Sequence, residues 1–136
     1  MRLCSGVFVT RIKKNQVQFL MVKSTTGGNW VHPKGGIEGK LNAAQSAAKE
    51  AYEEAGVIGA MGPSLGTVSG FSKGEATYIE MFHMQAAVEL DNYPEVGIRE
   101  RKWFDMKGAR KHTKKNMQVL LEFVAMQAKQ QAVVKG

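Results

Sequence analysis

The stretch NAAQSAAKEAYEEAG, residues 42–56, constrains the fold more than any other, because the packing side of the helix it forms is built from alanine. At about 100° per residue, Ala44, Ala47, Ala48, Ala51 and Ala55 fall on one narrow stripe, while Ser46, Glu50, Glu53 and Glu54 share a different face. Both ends are marked: Asn42 can cap the first turn, Gln45 stands at the capping-box position, and Gly56 suits the left-handed residue that ends a helix. The small stripe lets this helix lie close against a sheet, and close packing fixes where the carboxylates point. The expectation is a helix from Asn42 to Gly56 whose alanines pack and whose acidic face is presented.

Around it, Gly-rich breaks at TTGG, KGG and SKG read as loops. LCSGVFVT and VQFLMV, separated by RIKKNQ, predict an antiparallel hairpin, and LGTVSGF, ATYIEMFHMQAAVEL and KWF predict further strands. Met117, Leu120, Leu121, Val124 and Ala128 form the stripe of an amphipathic C-terminal helix that packs on the sheet. A chain of 136 residues, 43% hydrophobic and 23% charged, fits one domain over residues 1–136 with a core that needs no staple. Cys4 is the lone cysteine, read as a small strand residue. The apolar runs are too short to span a bilayer and the N-terminus lacks the apolar core of a signal peptide, so the expected location is the cytoplasm, with no membrane partner.

The acidic face carries the chemistry. Three carboxylates, Glu50, Glu53 and Glu54, within one helical turn can hold a hard cation, with Mg²⁺ the first choice and Mn²⁺ the second. Magnesium keeps open positions for waters and substrate phosphates, which suits phosphoryl chemistry, and one carboxylate could stay free as a base. The spacing alone leaves open an acidic, solvated face balanced by nearby lysines. A formal charge of +7 favours a polyanionic partner without choosing between nucleic acid, an acidic surface and a phosphate-rich small molecule.

The whole stretch from Gly35 to Val57 resembles the Nudix hydrolase signature G-x5-E-x7-R-E-U-x-E-E-x-G-U. Gly35, Glu50, Glu53, Glu54, Gly56 and Val57 fall on pattern positions. Lys49 stands where the pattern has Arg, Ala51 is smaller than the usual aliphatic residue, and Leu41 replaces the first Glu, with Glu38 three residues earlier matching an acid common in the family. The resemblance implies an α/β/α sandwich with a mixed, partly antiparallel sheet, and the signature as loop plus helix on one face. It implies that Glu50 and Glu54 are metal ligands, that Glu53 is the catalytic base or a further ligand, and that the backbone carbonyl of Lys34 is an additional ligand. Lys49 keeps the charge of the pattern's Arg but not the planar fork that holds a carboxylate bidentately.

Beyond the signature, RLCSGVF, FLMVKS, NWVHPKGG, EEAGVIGAMG, KGEATYIEMF and VGIRERKWF look like diphosphoinositol polyphosphate phosphohydrolases and the related diadenosine polyphosphate hydrolases. By that resemblance Arg2, Ser24, Lys73 and Arg99 are phosphate contacts and Lys115 is a further basic contact. Gly35 and Gly36 bring the backbone close to phosphate or metal. WVHPKGG also resembles bacterial RNA pyrophosphohydrolases. The expected activity is Mg²⁺-dependent hydrolysis of a diphosphate linkage in a diadenosine or diphosphoinositol polyphosphate. An RNA 5′-pyrophosphohydrolase and a non-catalytic phosphate- or RNA-binding domain are the alternatives. Trp30 and Trp103 read as packing residues rather than base platforms. His83, inside an apolar strand, reads as a packed or hydrogen-bonded histidine, and His32, His83 and His112 show no metal-ligand spacing.

Overall fold

The computed structural model describes residues 1–72 and 74–135, so Lys73 lies outside the described residues. β1 (Arg2–Lys13) and β2 (Gln16–Lys23) form the expected hairpin, in antiparallel register from Val9 opposite Leu20 to Lys13 opposite Gln16. Both strands run through the polar RIKKNQ stretch, and the reversal is made by two residues, Lys14 and Asn15. Both have positive φ, the requirement of a two-residue turn that matches strand twist.

The remaining strands are β3 (Trp30–Val31), β4 (Lys34–Gly36), β5 (Val57–Met61), β6 (Thr67–Ser72), β7 (Glu75–Glu89) and β8 (Arg101–Phe104). They form a sheet with the order β3-β2-β1-β7-β5, to which β4 adds beside β1, β6 beside β7 and β8 beside β2. β1 and β7 run parallel and the other pairs are antiparallel, the mixed sheet expected. The KGG segment corrects the sequence reading. It is a strand, β4, with Gly36 opposite Cys4 and Gly35 opposite Ser5, not a turn. Only Gly28, Gly74 and others outside this segment take positive φ.

Three helices cover the sheet: α1 (Ala43–Ala55), α2 (Met106–His112) and α3 (Gln118–Lys135), with a 3-10 turn over Lys115–Met117 before α3. α1 begins and ends as predicted. The Asn42 side chain accepts from the Gln45 N–H at 2.8 Å, Gln45 accepts in return from the Asn42 N–H at 3.0 Å, and Gly56 has φ of 65°. Strand alternation divides the buried sheet residues between two cores. Val7, Val9, Leu20, Val22, Phe82 and Met84 meet the fully buried Ala47, Ala51 and Ala55 of α1. On the opposite face Phe8, Phe19, Met21, Ile79 and Met81 meet Leu121, Val124 and Ala128 of α3, together with Met117 and Ala109. Helices on both faces make the α/β/α sandwich. The short α2 has no counterpart in the sequence reading; Asp105 caps it, accepting from the Gly108 N–H at 2.9 Å.

The central parallel pair is tied by a buried hydrogen bond between Thr10 Oγ1 and His83 Nε2 at 2.7 Å. Burial lowers the His83 pKa from 6.5 to about 4. The folded ring stays neutral while the unfolded one binds a proton, so its contribution to stability is complete above pH 6.5 and is lost as pH falls toward 4. Urea titrations between these values should give a steeper loss of stability for the wild type than for His83→Gln, by up to about 1.4 kcal/mol per pH unit. Equal slopes would mean that His83 is not held neutral.

Candidate active site

Glu50 and Glu54 are four residues apart on α1 and lie on one face of it, but that face is not presented to solvent as the sequence suggested. Glu50 is 9% exposed, Glu54 5%, and Ser46, one turn earlier, is also buried. The cause is β4. Its backbone passes so close to α1 that a Cβ built on Gly35 would collide with the Glu50 carboxyl. Gly35 is therefore required for close approach and not for an unusual φ. Ser5, opposite Gly35 in the register, is fully buried and its hydroxyl has no hydrogen-bond partner.

Two carboxyls in one buried place cannot both ionise without a compensating charge. Burial first, and then the hydrogen bond with Glu50, push Glu54 up to about 9, against the pull of Arg99. Arg99 Nη1 stands 3.6 Å from Glu54, and Arg99 Nε stands 2.9 Å from Glu95 without the alignment of a hydrogen bond. The Glu50 and Glu54 carboxyls offer only oxygen, and Arg99, 3.6 Å from Glu54, does not offset their burial. Both observations fit a hard divalent cation.

Glu53 stands apart from the pair. Among the described residues no group of three His, Cys, Asp or Glu side chains converges as a metal cluster. Glu53 leans instead toward Lys49, whose ammonium is 3.6 Å from it and 2.6 Å from Glu38 Oε2. The lysine at the pattern's Arg position thus bridges Glu38 and Glu53.

Glu54 also lines a cleft of about 530 Å³, together with Ser24, Thr25, Thr26, Asn29, Trp30, Val31, Lys34, Phe71, Arg99, Lys111, His112 and Lys114. The cleft gathers Ser24, Lys34, Glu54 and Arg99 from the sequence-stated set. The Ser24 hydroxyl is engaged with the Thr26 carbonyl at 2.7 Å. Lys115 opens the 3-10 turn and does not line the cleft; its neighbour Lys114 does. Arg2 lies outside the lining as well, its guanidinium against Gly36 on the other side of β4 from the helix. Sequence reasoning missed Lys111, Lys114 and the side chain of Lys34, although the run RKHTKK carried the signal. Burial and the Lys114 ammonium both lower the pKa of Lys34.

The tryptophans pack as expected. Trp30 meets Phe104 at 5.2 Å between ring centroids, and Trp103 donates its indole N–H to Glu89 at 3.2 Å. Trp30 is at once a packing residue and part of the cleft wall.

The family model described as "NUDIX domain" matches residues 2–124. "Nudix hydrolase 17, mitochondrial" from Arabidopsis thaliana is 36% identical over 98 residues, covering 71% of this chain and 54% of that protein. "Diphosphoinositol polyphosphate phosphohydrolase 2" from Rattus norvegicus is 32% identical over 100 residues, covering 73% of this chain and 55% of that protein. The chain therefore spans about half the length of the curated relatives it matches. Among solved structures, a C. elegans Ap4A hydrolase binary complex aligns over 100% of this chain and 99% of that one, with a TM-score of 0.65 at 17% identity, a likeness of fold. Several of these relatives carry the word mitochondrial in their own names. No described helix is long and apolar enough to cross a membrane.

Because the folded pKa of Glu54, about 9, exceeds its ordinary 4.5, the folded state holds an extra proton between those values. Stability is greatest below 4.5 and is lost as pH rises through 9. In metal-free buffer, raising pH from 7 to 9 should lower the unfolding free energy of the wild type by up to about 1.4 kcal/mol per pH unit relative to Glu54→Gln. A wild type that tracks the variant would remove the shared proton.

Proposed function

The chain belongs to the Nudix family, whose members hydrolyse phosphorus-containing anhydrides, and from that premise we propose that it is a divalent-metal-dependent pyrophosphohydrolase acting on a substrate with several linked phosphates. One observation carries this reading: a buried carboxyl pair of which Glu54 lines a cleft whose walls carry Lys34, Arg99, Lys111 and Lys114. Glu50 and Glu54 would hold the metal, with the backbone carbonyl of Lys34 as an additional donor. Mg²⁺ is the proposed ion and Mn²⁺ its substitute, and when bound it would neutralise the diphosphate and polarise its phosphorus–oxygen bonds.

The chain's own residues divide the remaining work. Lys34, Arg99, Lys111 and Lys114 attract the phosphates and fix their path through the cleft. Arg99, already paired with Glu54 and Glu95, joins the metal end of the cleft to its basic walls. Glu53 accepts the proton of the water that attacks phosphorus. It is half-buried, with the Lys49 ammonium 3.6 Å away, and Glu38 holds that lysine from the other side. Leu41 takes a carboxylate from the family pattern, and the Glu38–Lys49 pair supplies an anchor from a neighbouring position.

Diadenosine polyphosphates rank ahead of diphosphoinositol polyphosphates, because Trp30 and the 78% exposed Phe71 both line the cleft and an inositol ring has no π face to set against them. Hydrolysis with Mg²⁺ should be followed by chromatographic separation of the two phosphorylated products, on diadenosine polyphosphates, diphosphoinositol polyphosphates and 5′-triphosphate RNA. Turnover should be highest on the first. Binding without turnover on any of them would replace the hydrolase with a binding domain. Glu53→Gln should lower kcat by at least about a hundredfold at unchanged melting temperature; activity near wild type would take the base role from Glu53. Arg99→Ala should raise KM most for the substrate with the most phosphates, and an equal rise on all would contradict its phosphate role.

A further inference from the structure

The C-terminal end of α2 and its connection to the 3-10 turn bring Lys111, His112 and Lys114 to the cleft. Among them stands Thr113, 6% exposed, with every polar atom engaged. Its N–H donates to the Ala109 carbonyl at 2.9 Å, closing α2. Its carbonyl accepts the side-chain amide of Gln118 at 2.6 Å, and the same amide donates to the Arg110 carbonyl at 2.9 Å. Its hydroxyl meets Nε2 of His32 at 2.9 Å.

His32 is fixed just as firmly. Its ring packs on Phe8 at 4.6 Å and Phe19 at 6.1 Å, and the carbonyl of the next residue, Pro33, accepts the Val7 N–H at 3.0 Å. The Thr113–His32 bond therefore joins two walls of the cleft that are 81 residues apart in sequence. One wall carries Trp30, Val31 and Lys34, the other Lys111, His112 and Lys114. Among the described residues no other side-chain hydrogen bond or ion pair links these two segments.

The choice of histidine is informative. Nδ1 of His32 is buried without a partner, an unfavourable arrangement that a phenyl ring packed on the same neighbours would avoid. The imidazole's one polar contact is the bond to Thr113. Across the gap Lys34 and Lys114 repel each other, so a device that holds the walls at one spacing has a force to oppose.

We propose that the Thr113–His32 hydrogen bond is a crossbar that sets the spacing of Lys34 and Lys114 and thereby positions both ammonium groups on a chain of linked phosphates. Thr113 and His32 are positioning residues; neither touches the reacting atoms. The proposal rests on reading the cleft as a polyphosphate site.

The test is calorimetric binding of inorganic tripolyphosphate to the whole chain, with melting temperature measured in parallel. Thr113→Val, which keeps the shape and removes the hydroxyl, should weaken binding by about tenfold, and Thr113→Ser should restore it to about the wild-type value. His32→Phe, which keeps the ring contacts, should behave like Thr113→Val and serves if that variant does not fold. Because the threonine acts through the lysine, adding Thr113→Val to Lys114→Ala should weaken binding no further than Lys114→Ala alone. Unchanged binding in Thr113→Val, failure of Thr113→Ser to restore it, or losses that multiply in the double variant would each overturn the crossbar. Tripolyphosphate binding without turnover on any substrate would overturn the hydrolase reading and leave the crossbar standing. A wild type that binds no tripolyphosphate would overturn both.

Discussion

The close seat of α1 on the sheet decides where every charge in the cleft can be. Alanine on the helix and glycine on β4 remove the side chains that would hold the two elements apart, and the Glu50 carboxyl occupies the space where a Cβ on Gly35 would stand. An isolated helix would leave Glu50 and Glu54 in water, where their repulsion is worth only a few tenths of a kcal/mol. Here both are buried, the repulsion is no longer screened, and Glu54 keeps its proton. The same packing that makes a small, tight core makes an acid pair in need of a cation.

The C-terminal end of α1 is held with equal care. The Arg101 guanidinium donates to the Ala55 carbonyl at 2.8 Å and lies 4.7 Å from the Tyr93 ring, against the left-handed Gly56. A cation at a helix C-terminus also complements the helix dipole. The Glu95 N–H reaches the Glu53 carbonyl at 3.0 Å, so the segment that delivers Arg99 to Glu54 is bonded to the helix it serves. Helix, loop and sheet edge thus converge on the carboxyl pair from separate directions.

How much of this was legible depended on how local the cause was. The limits of α1 could be read because Asn42, Gln45 and Gly56 act within one turn of themselves. The β1–β2 hairpin and the buried stripe of α3 followed from patterns of a few residues. Burial of Glu50 and Glu54 could not be read in the same way, because it is imposed by β4, a segment whose glycines look like a turn in isolation and become a strand only by pairing with Cys4–Gly6. β5 went unread as a strand, since Val57–Met61 contains glycine and alanine and is fixed by pairing with β7. α2 is seven residues of mixed character capped by Asp105, too short for periodicity to register. The basic wall was therefore assigned one residue too late, to Lys115, because only the geometry of Thr113 and the following turn decides which lysine faces the cleft.

The parallel pairing of β1 with β7 also has a meaning for the order in which the molecule comes into being. Its central hydrogen bond joins residues 73 positions apart, and such long closures are slow because chain entropy is lost before the contact forms. During synthesis from the N-terminus, the acid pair on α1 exists as sequence well before Lys111 and Lys114 have been made. A growing chain thus carries its repelling carboxyls without the walls that would bring them a ligand. The proposed grip on a polyphosphate can appear only once the segment carrying Lys111 and Lys114 has folded against the rest of the cleft.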